Sequence, residues 1–183
     1  MRKEELINLF KGNSKLILLA AIGVIIFQKY MVMMVTFIIL AFLGIFTIKI
    51  SRAVPHISIE TVTPSAILMG YAFGWKVGLI FGLLVGFIGY VRASQVNLTI
   101  IICSLLMGLV GVLADMFKGM GMAFWLAYLI AYFIRANVSY FLISKINSNV
   151  VENIMHSYLE SLYNMVVVIH FMTLFYSIIL NFM

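Results

Sequence analysis

Residues 65–92 read SAILMGYAFGWKVGLIFGLLVGFIGYVR. Gly70, Gly74, Gly78, Gly82 and Gly86 recur at intervals of four, and Gly89 follows. Nearly everything between them is apolar. In lipid, helices associate by close packing, and small residues at i, i+4 let two backbones approach. The stretch therefore reads as membrane helix shaped for tight packing. Four residues turn a helix through about 400°, so the row drifts by about 40° per step. A straight neighbour cannot follow all of it. Either the partner crosses at an angle, or the row is divided between two helices at Gly74-Trp75-Lys76, and the division is preferred. A Lys at the centre of one long helix would cost roughly 2.5–3.5 kcal/mol on insertion scales. At a turn near the interface, Lys76 reaches water and Trp75 joins the aromatic belt. Tight packing without chemistry is the plain reading of the ladder; a pore-lining or homo-oligomeric glycine row is the other.

The rest of the chain agrees with a membrane setting. Of 183 residues, 64% are hydrophobic and 10% charged, against about half and a quarter in soluble domains. That excludes a soluble enzyme, a nucleic-acid-binding domain and a disordered chain. At about 20 apolar residues per crossing, six or seven helices fill the chain and leave one integral membrane domain, 1–183. Expected spans are 14–28, 31–50, 62–74, 77–91, 96–117, 120–143 and 163–182. The basic start, MRKEELINLFKGNSK, precedes an apolar run, but Gln28-Lys29-Tyr30 stands where a signal peptide would have a small-residue cleavage site. The first helix is expected to be retained, with residues 1–15 as a cytoplasmic segment. The net charge of +6 reads as a topological signal. In a seven-span arrangement, eight Lys and Arg fall inside and three outside, which puts the N-terminus in the cytoplasm of a cell-membrane protein. Cys103 is the single cysteine, so no internal disulfide forms.

Few polar residues remain to carry function. Glu60 lies with His56, Thr61 and Thr63 in the polar connection Ser51–Pro64; it is a ligand contact or an ordinary loop residue. Asp115, three residues before Lys118, either pairs locally or binds substrate or protons. Arg135 sits inside YLIAYFIRANVSYFLI, about 15 Å deeper than Lys145 at 1.5 Å per residue. Its fork suits a carboxylate or phosphate; the alternative is a partner in Asp115 or a backbone carbonyl. Segment 148–162 reads as an amphipathic interfacial helix, with Asn149 and Glu152 forming a capping box. Glu152, His156 and Glu160 form a row on its polar face, read as solvated rather than as metal ligands. His170 shares a face with Thr173 and Ser177 and can point into a polar cavity or simply pack. Trp125, Tyr128 and Tyr132 lie on one side of their span. There is no Walker A motif, no HExxH and no hydrolase acid pair. The chain is expected not to be an enzyme and to carry no metal or cofactor.

FGWKVGLIFGLLVGFIG, entered from a short apolar helix after a proline-containing loop, resembles the glycine-rich hairpin of S components. These are the substrate-binding membrane subunits of energy-coupling factor (ECF) vitamin transporters. LILLAAIGVII (16–26), with Ala20 and Gly23, is similar to their small-residue first helix. LLMGLVGVLADMFKGMG (105–121) resembles a helix end of the cell-shape protein MreD. Trp75 stands where the S-component hairpin usually has Pro. The first resemblance implies an all-α bundle that captures a small vitamin-like molecule, with a coupling transmembrane subunit and separate ATPases as partners. Glu60, Trp125, Arg135, Asn137, Tyr140 and His170 would line its site. Ala20, Gly23, Gly70, Gly74, Gly78, Gly82 and Gly86 would pack helices or meet partners. The second implies a scaffold without a small-molecule substrate, using the ladder as its partner interface. A proton or ion channel using Asp115 and His170 is a third expectation.

Overall fold

The computed structural model describes residues 14–53, 60–93 and 97–183. Pro55, His56 and residues 1–13 lie outside them. The described chain is all-helical: α1 Ser14–Ala53, α2 Val62–Phe73, α3 Trp75–Arg92, α4 Leu98–Gly119, α5 Phe124–Ser144 and α6 Val150–Phe182. Among the described residues, five helices are long and apolar enough to cross a membrane, with Phe27–Ser51 as the qualifying part of α1, and α2 is a shorter apolar helix. These elements are compatible with a multi-pass membrane protein.

The expected spans 14–28 and 31–50 are one helix. Gln28, Lys29 and Tyr30 are all tolerated in a helix interior, and neither Gly nor Pro stands there. The Gln28 amide donates to the Phe182 carbonyl at 2.8 Å. The Lys/Arg count assumed two crossings before Arg52, so it no longer orients the loops that follow. The segment 148–162 likewise runs on without a break into the last expected span, as α6.

Helix α2 is the hub: every residue from Val62 to Ala72 is buried. Pro64 sits in its first turn, where a missing N–H costs no intrahelical bond. The Glu60 carboxylate closes that turn, accepting from the Thr63 backbone N–H at 2.7 Å and the Thr63 hydroxyl at 2.6 Å. The helix ends at Gly74, whose φ of 104° and ψ of 161° lie in a region that essentially only glycine occupies. The division of the ladder thus falls where the sequence places it. Helix α4 starts on an Asn97 cap, whose side-chain oxygen accepts from the Ile100 N–H at 3.0 Å.

Apart from Gly74, the ladder glycines pack within the chain. Gly70 of α2 and Gly78 of α3 both face Gly111 of α4. A Cβ on Gly70 would overlap the Gly111 carbonyl, and one on Gly78 would lie 2.6 Å from the Gly70 Cα and 2.9 Å from the Gly111 Cα. Gly82 abuts the Met107 backbone, and Gly86 meets the Met107 sulfur. Helix α1 joins through Gly89 against Ile48, Gly44 against Val62, and a Thr47–Thr61 hydroxyl contact of 2.9 Å. Gly23 and Gly74 have no neighbour within 4 Å of an added Cβ. The side chain of Ala20 is outside those described.

Candidate functional site

Helices α5 and α6 run antiparallel, and polar pairs mark their shared face. The Ser157 hydroxyl reaches Ser139 at 3.5 Å, Arg135 meets Glu160, and the Tyr128 hydroxyl donates to the Asn164 carbonyl at 3.1 Å. On α5, Tyr128, Tyr132 and Arg135 follow at i, i+4 and i+7, one helical face. On α6, Asn153, Ser157, Glu160, Ser161 and Asn164 are all buried. Val151, Ile154, Leu159 and Leu162 are exposed. Of the polar row read as solvated, Glu160 is thus turned inward with Asn153, Ser157, Ser161 and Asn164, while Glu152 stays exposed and the His156 side chain lies outside those described; the apolar row faces outward, the arrangement that lipid surroundings favour. Two five-residue π turns, Met155–Leu159 and Asn164–Val168, flank Glu160–Tyr163. Wide turns of this kind often occur at functional sites.

At the middle of this face lies an ionic cluster. The Arg135 Nη2 is 3.4 Å from the Glu160 Oε1 and 3.7 Å from the Glu60 Oε2, and all three residues are buried. The Arg135 Nη1 also donates to the Glu160 Oε1 at 3.5 Å. The guanidinium lies 5.9 Å from the Tyr132 ring centre, within cation–π range. Tyr132 in turn packs at 5.0 Å on Tyr128. The cluster therefore joins the connection before α2, the middle of α5 and the middle of α6.

The cluster changes what Arg135 can do. Its charge is already matched by two carboxylates, so it is no open seat for an anionic substrate group, and its partner is not Asp115. Three buried polar atoms in or beside it have no hydrogen-bond partner among the described residues: the Arg135 Nε and both side-chain ends of Asn164. Each such atom costs about 1–3 kcal/mol when nothing meets it. Native interiors leave few such atoms unmet.

The other expected site residues are placed elsewhere. Trp125 is exposed on the outside of α5, and Tyr128 and Tyr132 alone of that aromatic side are fully buried. Asn137 is exposed, donating to the Phe133 carbonyl at 2.7 Å and accepting from the Tyr158 hydroxyl at 3.2 Å. Tyr140 packs on Tyr158 at 5.4 Å. Both belong to the outer edge of the α5–α6 contact. His170 is exposed, and Thr173 and Ser177 bond back to Ile169 and Thr173 carbonyls of their own helix, a common way for helical hydroxyls to be satisfied. Glu152 faces out and accepts from the Asn147 amide at 3.0 Å, while the Asn149 side chain caps its N–H at 3.3 Å. Glu152 and Glu160 therefore diverge, and among the described residues no three His, Cys, Asp or Glu side chains come together as metal ligands.

Asp115 accepts from the Trp75 backbone N–H at 3.0 Å. It caps the start of α3 from α4, where a carboxylate also suits the positive end of the helix dipole. Lys118, its expected local partner, lies 5.5 Å from the Tyr71 ring centre. Asp115→Ala is expected to destabilise the protein by about 1 kcal/mol, the usual loss of a cap. It should leave proton permeability of reconstituted liposomes unchanged. A thermal melt in detergent and a pH-dye assay check the two halves.

No family model, curated protein or solved structure matches this chain. The likeness to S components and to MreD therefore stands on its motifs alone. Sequence reasoning missed Glu160 as a partner of Arg135 and Asn164 as its neighbour, while Tyr132 was within reach as one of the aromatic side Trp125, Tyr128 and Tyr132. The signal for Glu160 and Asn164 is the polar row of 153–164, which lipid surroundings turn inward.

Proposed function

We propose that this chain is a membrane-embedded subunit that captures a small molecule for transport, in the manner of an ECF S component, with energy supplied by separate subunits. One observation carries the reading: the buried Glu60–Arg135–Glu160 cluster with unmet hydrogen-bonding groups at its side. Ionisable groups are costly inside a membrane bundle, and they mark substrate or ion pathways by default. The site is centred on Glu60, Arg135, Glu160 and Asn164, with Tyr128 and Tyr132 as its aromatic wall. Trp125, Asn137, Tyr140 and His170 drop out. Because the guanidinium is already matched, a neutral or cationic ligand is favoured over an anionic one. The scaffold reading needed the glycine ladder as a partner surface, and its close contacts from Gly70 to Gly86 lie within the chain.

The test is purification in mild detergent followed by native mass spectrometry. A stoichiometric small molecule is expected with the unaltered chain. It should be lost in Arg135→Lys, which keeps the charge but not the fork, with the melting temperature little changed. Protein that carries no small molecule, and co-isolates with cell-shape or cell-wall membrane subunits, would sink the proposal in favour of the scaffold.

A further inference from the structure

We infer that the α5–α6 seam is a water-bearing access path, entered from the turn at 145–149 and ending at the ionic cluster and Asn164. It rests on the capture reading for its use and shares with it the unmet atoms of Arg135 and Asn164; the run of polar pairs along the seam and the Asn153 Oδ1 are its own evidence. The polar pairs Ser139–Ser157, Arg135–Glu160 and Tyr128–Asn164 follow one another along the seam. From the first pair to the last, α5 runs 11 residues, about 16 Å of helix axis, and α6 seven, about 10 Å. That is about a third to a half of a bilayer's hydrocarbon core of about 30 Å.

The mouth is polar. Asn147, whose carbonyl accepts from the Asn153 amide at 2.7 Å, is followed by exposed Ser148 and Asn149. Inside it, the Asn153 Oδ1, the Arg135 Nε and both ends of the Asn164 amide are buried without a partner among the described residues. They offer acceptors and donors in turn. Buried polar groups of this kind are commonly met by water, which needs two to four polar partners. A ligand confined to one point could not reach atoms spread along the seam; a file of water can. Beyond Asn164 the inward face of α6 turns apolar at Val168, Ile169 and Met172, and the path stops. It is a half-path, open to one side only.

Thiol accessibility tests this. In a Cys103→Ser background, single cysteines replace Ser157, Ser161, Asn149 and Met172 in proteoliposomes. The probe is the silver ion, small enough to follow a file of water. The expected result is loss of the free thiol at 149, 157 and 161, and its retention at 172. Reaction at 149 alone would mean a dry seam and would overturn the inference. Reaction at all four, 172 included, would show general loosening of the bundle and overturn it equally. Neither outcome bears on whether a small molecule co-purifies, so the two proposals fail separately.

Discussion

Arg135→Leu is expected to abolish the stable bundle, seen as loss of monodisperse protein on detergent chromatography and of a cooperative melt. The substitution removes the guanidinium that lies between two buried carboxylates, 3.4 Å from Glu160 and 3.7 Å from Glu60. Breaking a buried ion pair by deleting one member typically costs about 3–5 kcal/mol, since the remaining charge has no compensation. Typical domains have only about 5–15 kcal/mol in total. The cost is electrostatic rather than a matter of volume, and this can be separated. Glu60→Gln and Glu160→Gln, combined with Arg135→Leu, should recover most of the lost stability, because neutral replacement of a whole buried ionic group is often nearly neutral. The triple variant should still lack any captured small molecule. If Arg135→Leu alone melts like the unaltered protein, the cluster does not hold the bundle together.

The contrast between Arg135 and its expected companions shows what was legible. Arg135 and Glu60 stand out because charge is rare in apolar sequence, and both belong to the cluster. Their partner Glu160 lies 25 residues from Arg135, on a helix whose polar row was judged by the rule for a helix floating on water. In a helix immersed in lipid the same alternation has the opposite sense, and Asn153, Ser157 and Asn164 turn inward with it. Asp115 was conspicuous for the same reason as Arg135, yet its role is to cap α3 across the bundle. Nothing in LADMFKG tells a cap for a distant helix from a proton site. The helix break at Gly74 was legible because it depends on local chemistry: a flexible residue before Trp and Lys. The union of 14–28 with 31–50 was not, because Gln28-Lys29-Tyr30 looks like a break by polarity but contains no residue that breaks a helix. His170 illustrates the limit of facial patterns. Its neighbours Thr173 and Ser177 are polar in sequence but satisfy themselves on their own helix.

The second large effect is expected at the glycine node. Gly70→Ala should destabilise the bundle severely, as a fall in melting temperature and in the yield of folded protein. One added methyl group would overlap the Gly111 carbonyl, with the Gly111 Cα 2.9 Å away. Overpacking where side chains can shift costs typically about 1–3 kcal/mol. At Gly70 the obstacle is backbone, so α2 and α4 must separate, and the loss should reach or exceed the top of that range. Gly78→Ala, set against Gly70 and Gly111 together, should behave in the same way. Two other glycines supply the controls. Gly23→Ala meets nothing within 4 Å and replaces a poor helix former by the best one, so stability should hold or rise slightly. Gly74→Ala also meets nothing, but its φ of 104° is strained for any residue with a Cβ, at about 1–3 kcal/mol. The node, the open helix position and the turn are thus three different uses of one residue type in a single chain. If Gly70→Ala and Gly23→Ala melted alike, the close approach of α2, α3 and α4 at Gly70, Gly78 and Gly111 would be wrong, and the ladder would again be free to face a partner.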